Sequence, residues 1–407
     1  MSELPLPFSI HSIEDWQAQL QSELLEKSHL LKYVNDIEEL EFSITDLDGP
    51  QIPLNFNSPT NWKNLLKVSA NEEKKTNQLL LDALMQGAEA VIIEHASLQT
   101  DWKILLNDIH TAYIDCMIIF NDDDSIQHFK NNASEDAQKH CKVLYQYGEE
   151  QNYFSSFKIN QVGANCATEL GSLILHIHRV LELQSSSESH IHGYTFFVEL
   201  GLGAEYLVEI AKFTAVRKLI EQLSIIHQMK IEIKLIATTG FCNKSLHDPY
   251  TNLLRQTTES MSGVIGATDY LCVQPYDALS TNGTSEFAQR MALNIGNLLQ
   301  FEAKLDQTKT LLFGSYVIGK LTQELIEKSW EMLCDLDEEN TDSIEQLKSR
   351  IVHTRSIRLA KFEDKKLLLT GINCFENEFE IPPNSWGNLP TEIGLPFLIF
   401  EKTMQDA

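Results

Sequence analysis

The stretch YTFFVELGLGAEYLVEIAKFTAVRKLIEQLSIIHQMKIEIKLIATT (194–239) decides the fold. It opens on a run rich in aromatic and β-branched residues, YTFFVELG (194–201), and closes on another, IEIKLIATT (231–239). Between them Leu207, Ile210, Ala211, Leu219, Leu223 and Ile226 recur at three- and four-residue steps, the spacing of one helical face. A strand, a long crossover helix and a second strand make parallel neighbours, because a parallel return needs a connection of that length. Both runs are largely apolar, which calls for cover on both faces of the sheet.

The same rhythm extends in both directions. Further strand runs are AVIIEH (90–95), DCMIIF (115–120), VLYQYG (143–148), SSFKIN (155–160), YLCVQP (270–275) and KLLLTGIN (366–373), which brings the count to eight. Helical patterns fall at 75–88, 98–112, 124–139, 163–183, 204–229, 249–266 and 285–305. Eight such units predict an α/β fold of the (β/α)8 TIM-barrel type rather than an open doubly wound sheet. Two features are irregular. The link from 148 to 155 is too short for a helix, and 306–365 is a long excursion before the last expected strand. That excursion holds TLLFGSY (310–316), a ninth strand or a loop, and two helices near 320–335 and 343–360.

Residues 1–74 read as an N-terminal helical arm, 75–380 as the barrel and 381–407 as an extended tail around Trp386. In the arm, Trp16, Leu20, Leu24, Leu25 and Leu31 give Glu14 to Tyr33 a helical spacing, and Gly49-Pro50 marks a turn. Such a helix either contacts another subunit or folds back onto its own barrel.

Composition narrows the function. The 407 residues carry 32 Lys and Arg against 58 Asp and Glu, a net charge of −26. A surplus of that sign disfavours nucleic acid and anionic membrane as partners, since phosphate binding needs a basic face. With 43% hydrophobic and 22% charged residues the chain can bury a sizeable core, so wholesale disorder is excluded. The opening MSELPLPFSIHSIEDW has neither the basic nor the apolar region of a secretory signal. No apolar run approaches the ~20 residues that span a bilayer. Seven scattered cysteines without a CxxC suit reduced thiols in the cytosol. The sequons at Asn132, Asn243 and Asn282 then carry no glycan.

In a barrel the chemistry lies at the C-terminal ends of the strands. The residues expected there are His95, Asn121, Gln161, Glu199, Thr238, Thr239, Gln274 and Asn373. This set offers no carboxylate pair, no Cys–His pair and no cluster of metal ligands, so it points to binding rather than acid–base work. Gly201–Gly203 ends a strand and opens a helix; its amides either cradle a phosphate or simply make a tight turn. His176 and His178 are two apart in a helix and so face different ways, a core histidine and a surface one. His190 and His192 form an HxH pair with no third ligand in view, and a solvated loop is the plainer reading. Lys234 lies within a strand, where a desolvated lysine could form a Schiff base. A Lys234 that points outward or sits low in the barrel as a charge anchor is the simpler alternative.

Several stretches, in order, resemble the methylmalonyl-CoA mutase family. TTGFCNKSLHDPYTNLLRQTTESMSGVIGATDYLCVQPYD (238–277) is similar to its substrate-binding barrel, where T-(S/T)-G-(W/F) leads into D-P-(Y/W)-x-N-(L/V)-(L/V)-R. VELGLGAEYLVEIAKFTAVRKL (198–219), GSYVIGKLTQELIEKSWEML (314–333), GANCATELG (163–171) and LLLTGINCF (367–375) resemble further family segments, the last of them its final strand. The resemblance spans about residues 160 to 375 and implies a TIM barrel of the acyl-CoA mutase type.

The departures matter as much. Catalytic members resembling this chain carry a histidine in the strand before T-(S/T)-G-W that hydrogen-bonds the thioester carbonyl. Counted back from Gly240, that position falls on Leu235, or on Ile236 one register along, and there is no histidine between His227 and His247. An apolar side chain cannot donate that bond. No D-x-H-x-x-G, the mark of the family's cobalamin-binding domain, occurs in the sequence; Asp108-Ile109-His110 lacks the glycine. The resemblance therefore implies the small, non-catalytic subunit type of a heterodimeric member, with no cofactor bound by this chain. Adenosylcobalamin and the interconversion of succinyl-CoA and (R)-methylmalonyl-CoA are then expected of a large partner subunit. The small chain would stabilise the complex and could form homodimers when isolated. Alternatives are an acyl-CoA-binding regulatory barrel with Thr239, Gln274 and Asn373 in its pocket, and an aldolase-type barrel using Lys234.

Overall fold

Side chains that alternate along eight short parallel strands divide the molecule into a filled centre and a helical shell. The computed structural model describes residues 12–24, 32–43, 61–148, 150–185, 194–307, 315–337, 342–376 and 386–406. The barrel strands are β1 (Lys63–Ser69), β2 (Ala90–Glu94), β3 (Asp115–Phe120), β4 (Lys142–Tyr145), β5 (Tyr153–Ser155), β6 (Tyr194–Leu202), β7 (Ile231–Thr239) and β8 (Tyr270–Cys272). Apart from β4 and β5, each pairs in parallel with the next, and β8 returns to β1 through Tyr270 opposite Lys63.

Between β4 and β5, where the ladder is interrupted, a side chain completes it. Asn152 N–H donates to the Tyr145 carbonyl at 3.1 Å, while its side-chain oxygen accepts from Tyr145 N–H at 2.8 Å. The start of β5 is therefore level with the end of β4. That stagger explains how a connection too short for a helix joins two parallel strands.

Leu65, Ile92, Met117, Leu144, Phe197 and Ile236 point inward to a common apolar layer. Their sequence neighbours, including Leu66, Val91, Ile118, Val198 and Leu235, point outward against helices. Helices Cys166–Ser185, Tyr206–Ile226 and Tyr316–Asp337 form the thickest part of that shell, beside β6. A β-hairpin, Lys32–Asn35 with Leu40–Ser43, packs Leu40 and Phe42 into the same core.

The structure moves several expected boundaries. The barrel begins at β1, before the expected boundary at 75, so the segment 1–74 is not all arm. The expected strand at 366–373 is instead a turn that bridges Thr370 to Cys374. Its Leu369 and Ile372 pack on Phe362, Leu398 and Phe400, away from the sheet. The family resemblance of LLLTGINCF to a final strand fails for the same reason. SSFKIN supplies only the last residue of β5, and Phe157–Gln161 is helical. The arm's helix is Ile13–Leu24, whereas Tyr33 lies in the hairpin. Most of TLLFGSY, and His190 and His192, lie outside the described residues. The excursion's two helices are Tyr316–Asp337 and Ser343–Glu363, as expected. No described helix is long and apolar enough to cross a membrane.

Candidate functional site

At the C-terminal mouth of the barrel, above the apolar layer, the inward positions turn polar. Lys67 on β1 reaches across to Glu199 on β6, its Nζ 3.0 and 3.1 Å from the two carboxylate oxygens. Lys67 also pairs with Glu94 on β2 at 3.0 Å. Glu199 accepts three further hydrogen bonds, each 2.7 Å, from Tyr153 Oη, Ser155 Oγ and Thr238 Oγ1. Strands β1, β2, β5, β6 and β7 are thus tied together around one carboxylate, and Glu199 is 1% exposed.

The electrostatics favour the charged pair. Burial would raise the pKa of Glu199, but Lys67 and the hydrogen bonds from Thr238, Tyr153 and Ser155 hold it below the usual carboxylate value. Burial would lower that of Lys67, yet Glu199, with Tyr153 and Glu94, lifts it well above the ordinary lysine value. The pair finds its partners within the chain, which is the condition under which a buried ion pair is tolerated. At the opposite end of the lumen Asp115 closes the barrel, accepting from Lys63 at 2.8 Å, Lys142 at 3.1 Å and Tyr270 Oη at 2.9 Å.

The βα turns around β6 and β7 are equally self-contained. Gly201 N–H donates to Glu169 at 3.1 Å and Gly203 N–H donates to Glu209 at 3.0 Å. The chain's own carboxylates thus occupy amides that a phosphate would need, so the Gly201–Gly203 turn is not a free cradle. Lys212 Nζ balances them, 3.0 Å from Glu169 and 2.6 Å from Glu209. After β7, Phe241 N–H donates to the Gln161 side chain at 2.7 Å, and Lys244 is buried against Glu259 at 2.6 Å. Gly240 is required by close approach: a Cβ there would lie 2.9 Å from the Leu202 carbonyl oxygen. Between these turns, Glu38, Arg358 and Phe400 wall a small cleft of about 60 Å³.

The expected pocket residues do not converge. Thr239 Oγ1 accepts from Gln274 N–H at 2.9 Å, so these two are neighbours. Asn373 holds its own loop, accepting from Leu369 N–H at 2.7 Å and donating to the Leu367 carbonyl at 2.8 Å. Leu235 faces the helical shell, and the lumen position beside it is Ile236. Lys234 sits low on β7, one-third exposed, paired with Glu232 at 2.9 Å and Asp269 at 3.7 Å. Burial would lower its pKa, but these carboxylates raise it, the reverse of what a Schiff-base lysine needs. His176 contacts Gln151 and His178 contacts His227, both in the outer shell. His95 and Asn121 are exposed rim residues.

Sequence reasoning missed Lys67, Glu94 and Tyr153. The signal available was the alternation Lys63, Leu65, Lys67, which places two lysines and a leucine on one face of a strand.

The residues present do not fit a thioester in the lumen. Its upper layer is filled by the Lys67–Glu199 pair, its middle by apolar side chains, and β7 presents Ile236 where a donor would be needed. Among the described residues no group of three or more His, Cys, Asp or Glu side chains is arranged to hold a metal ion. No step of a radical rearrangement is therefore assigned to these side chains.

Comparison with known proteins places this geometry. The methylmalonyl-CoA mutase family model matches residues 153–388. The methylmalonyl-CoA mutase small subunit of Porphyromonas gingivalis is 36% identical over 143 residues, 34% of this chain and 23% of that protein. The methylmalonyl-CoA mutase of Rhizobium meliloti is 24% identical over 240 residues, 56% of this chain and 33% of that protein. A probable methylmalonyl-CoA mutase small subunit of Mycobacterium bovis is 22% identical over 245 residues, 55% of this chain and 38% of that protein. The chain thus spans roughly a quarter to two-fifths of the length of these relatives. With the match covering more than half of its residues, the chain belongs to the methylmalonyl-CoA mutase family.

Proposed function

We propose that this chain is a non-catalytic, small-subunit-type barrel that pairs with a catalytic large subunit of an adenosylcobalamin-dependent methylmalonyl-CoA mutase and stabilises it. The observation that carries this reading is the filled lumen. Lys67 and Glu199 satisfy one another where an incoming acyl group would have to displace them, and β7 offers only Ile236 beside them. Separating such a pair leaves an uncompensated buried charge, a cost of about 3–5 kcal/mol that a substrate would have to recover. The two relatives named as small subunits support the same reading. On this account adenosylcobalamin and the succinyl-CoA to (R)-methylmalonyl-CoA rearrangement belong to the partner. The complex is a cytoplasmic heterodimer serving propionate metabolism, and the isolated chain pairs with itself.

Isothermal calorimetry of the isolated chain with methylmalonyl-CoA, and separately with adenosylcobalamin, tests the proposal. No saturable heat is expected from either. Tight one-to-one binding of either ligand by this chain alone would overturn it.

A further inference from the structure

The hairpin Lys32–Ser43 inserts one carboxylate into a part of the barrel that is already acidic. Glu38, at the hairpin's turn, is 2% exposed; it accepts from Cys166 N–H at 2.7 Å and from Arg358 Nη2 at 3.1 Å. Beneath it lie Glu169 on helix Cys166–Ser185, and Glu209 and Lys212 on helix Tyr206–Ile226, with Glu205 at the latter's N-terminus. Helix Ser343–Glu363 contributes Arg358 and, further out, Lys361, which pairs with Asp36 of the hairpin at 2.6 Å. The thiols of Cys166 and Cys242, both pushed up by burial, add no charge, and nor does Tyr33. Four carboxylates thus share two cations, Lys212 and Arg358, once Lys361 is assigned to Asp36. Fully ionised, the cluster would hold two uncompensated negative charges beside the cleft that Glu38, Glu205 and Glu209 line.

We propose that docking of the Lys32–Ser43 hairpin is proton-linked: the cluster binds a proton while the hairpin is seated, and the hairpin is released as that proton leaves at alkaline pH. The physical reason is that undocking removes Glu38 from the cluster and opens Glu205 and Glu209 to water. Both effects ease ionisation. Glu209 is the group that carries the proton. Burial, opposed by Lys212 and assisted by Glu169 and Glu38, raises its pKa from 4.5 to about 7. Glu205 is raised in the same direction by burial and by Glu38. A carboxyl whose pKa is higher in the docked state favours docking at low pH, and that support is lost as pH rises through the docked value. The hairpin's apolar anchor, Leu40 and Phe42, has no such dependence, so the release is graded.

Hydrogen–deuterium exchange of peptides covering 32–43 in the full chain tests this, at about pH 6 and about pH 8.5, with protection corrected for intrinsic exchange rates. Protection is expected to fall about tenfold at the higher pH, and Glu209→Gln should remove the fall. Glu41→Gln, which breaks only the exposed Lys32–Glu41 pair, should leave it unchanged. If Glu209→Gln does not fold, Glu205→Gln is the substitute and should reduce the fall. Equal corrected protection at both pH values in the unmodified chain would overturn the proposal. So would a fall of the same size in Glu209→Gln, or in Glu205→Gln where that is the variant used.

Discussion

Lys67 on β1 and Glu199 on β6 meet across the barrel lumen, with Nζ at 3.0 and 3.1 Å from the two carboxylate oxygens. The pair, with the hydrogen bonds of Tyr153, Ser155 and Thr238, converts a place where a barrel usually admits a ligand into a closed structural layer.

Breaking that pair from one side should be far worse than removing it. Lys67→Met leaves Glu199 buried and unpaired and is expected to cost about 3–5 kcal/mol in urea unfolding. The double variant Lys67→Met, Glu199→Leu should recover most of that loss, because neither charge is then stranded. A double variant as unstable as the single one would mean that the layer matters for its hydrogen bonds and not for its charge balance.

The same carboxylate sets an acid dependence. Glu199 holds a pKa below its ordinary 4.5 in the folded chain. Its contribution to stability is therefore present above 4.5 and is lost as pH falls through the lower folded value. Glu199→Gln should be less stable than the unmodified chain near neutral pH, with the gap narrowing as the pH drops below that range. A gap independent of pH, measured by denaturation across the acid range, would contradict the assignment.

Restoring a histidine by sequence count alone should fail. Leu235 is fully buried against the helical shell, so Leu235→His puts an imidazole among apolar side chains and should destabilise by about 2–4 kcal/mol without creating any activity. Ile236→His would point into the lumen instead. Methylmalonyl-CoA binding by Leu235→His but not by Ile236→His would mean that Leu235, and not Ile236, faces the lumen.

Gly240→Ala should destabilise the turn after β7 by about 1–3 kcal/mol, since the added methyl meets the Leu202 carbonyl oxygen and the Gln161 amide. Thermal unfolding reads the effect; an unchanged midpoint would show that the Gln161 contact relaxes freely.

Lys234 should not be trapped by borohydride in the presence of carbonyl compounds, because its ion pairs with Glu232 and Asp269 keep it protonated. A mass increase localised to Lys234 would reopen the aldolase reading.

Most of the barrel was legible in the sequence because β2, β3, β6 and β7 are apolar runs separated by helical periods. β1 escaped because KNLLKVS carries two lysines whose charges are neutralised by residues far along the chain, Asp115 and Glu199. KLLLTGIN misled for the converse reason. Its apolar side chains Leu369 and Ile372 are buried by Phe362, Leu398 and Phe400, and burial alone does not distinguish a strand from a packed turn. At the mouth, Glu199 and Thr238 are legible as rim residues, yet their partners are not. A buried ion pair depends on which strands face one another, and local spacing carries no record of that.

The most direct test of the central claim is mutase activity, with adenosylcobalamin and methylmalonyl-CoA, for this chain alone and mixed with the large subunit of the same organism. The account predicts no turnover by the chain alone, and activity that is stabilised in a one-to-one complex. Turnover by this chain alone would contradict it, because the lumen closed by Lys67 and Glu199 would then have to open and Ile236 would have to stand beside a working site.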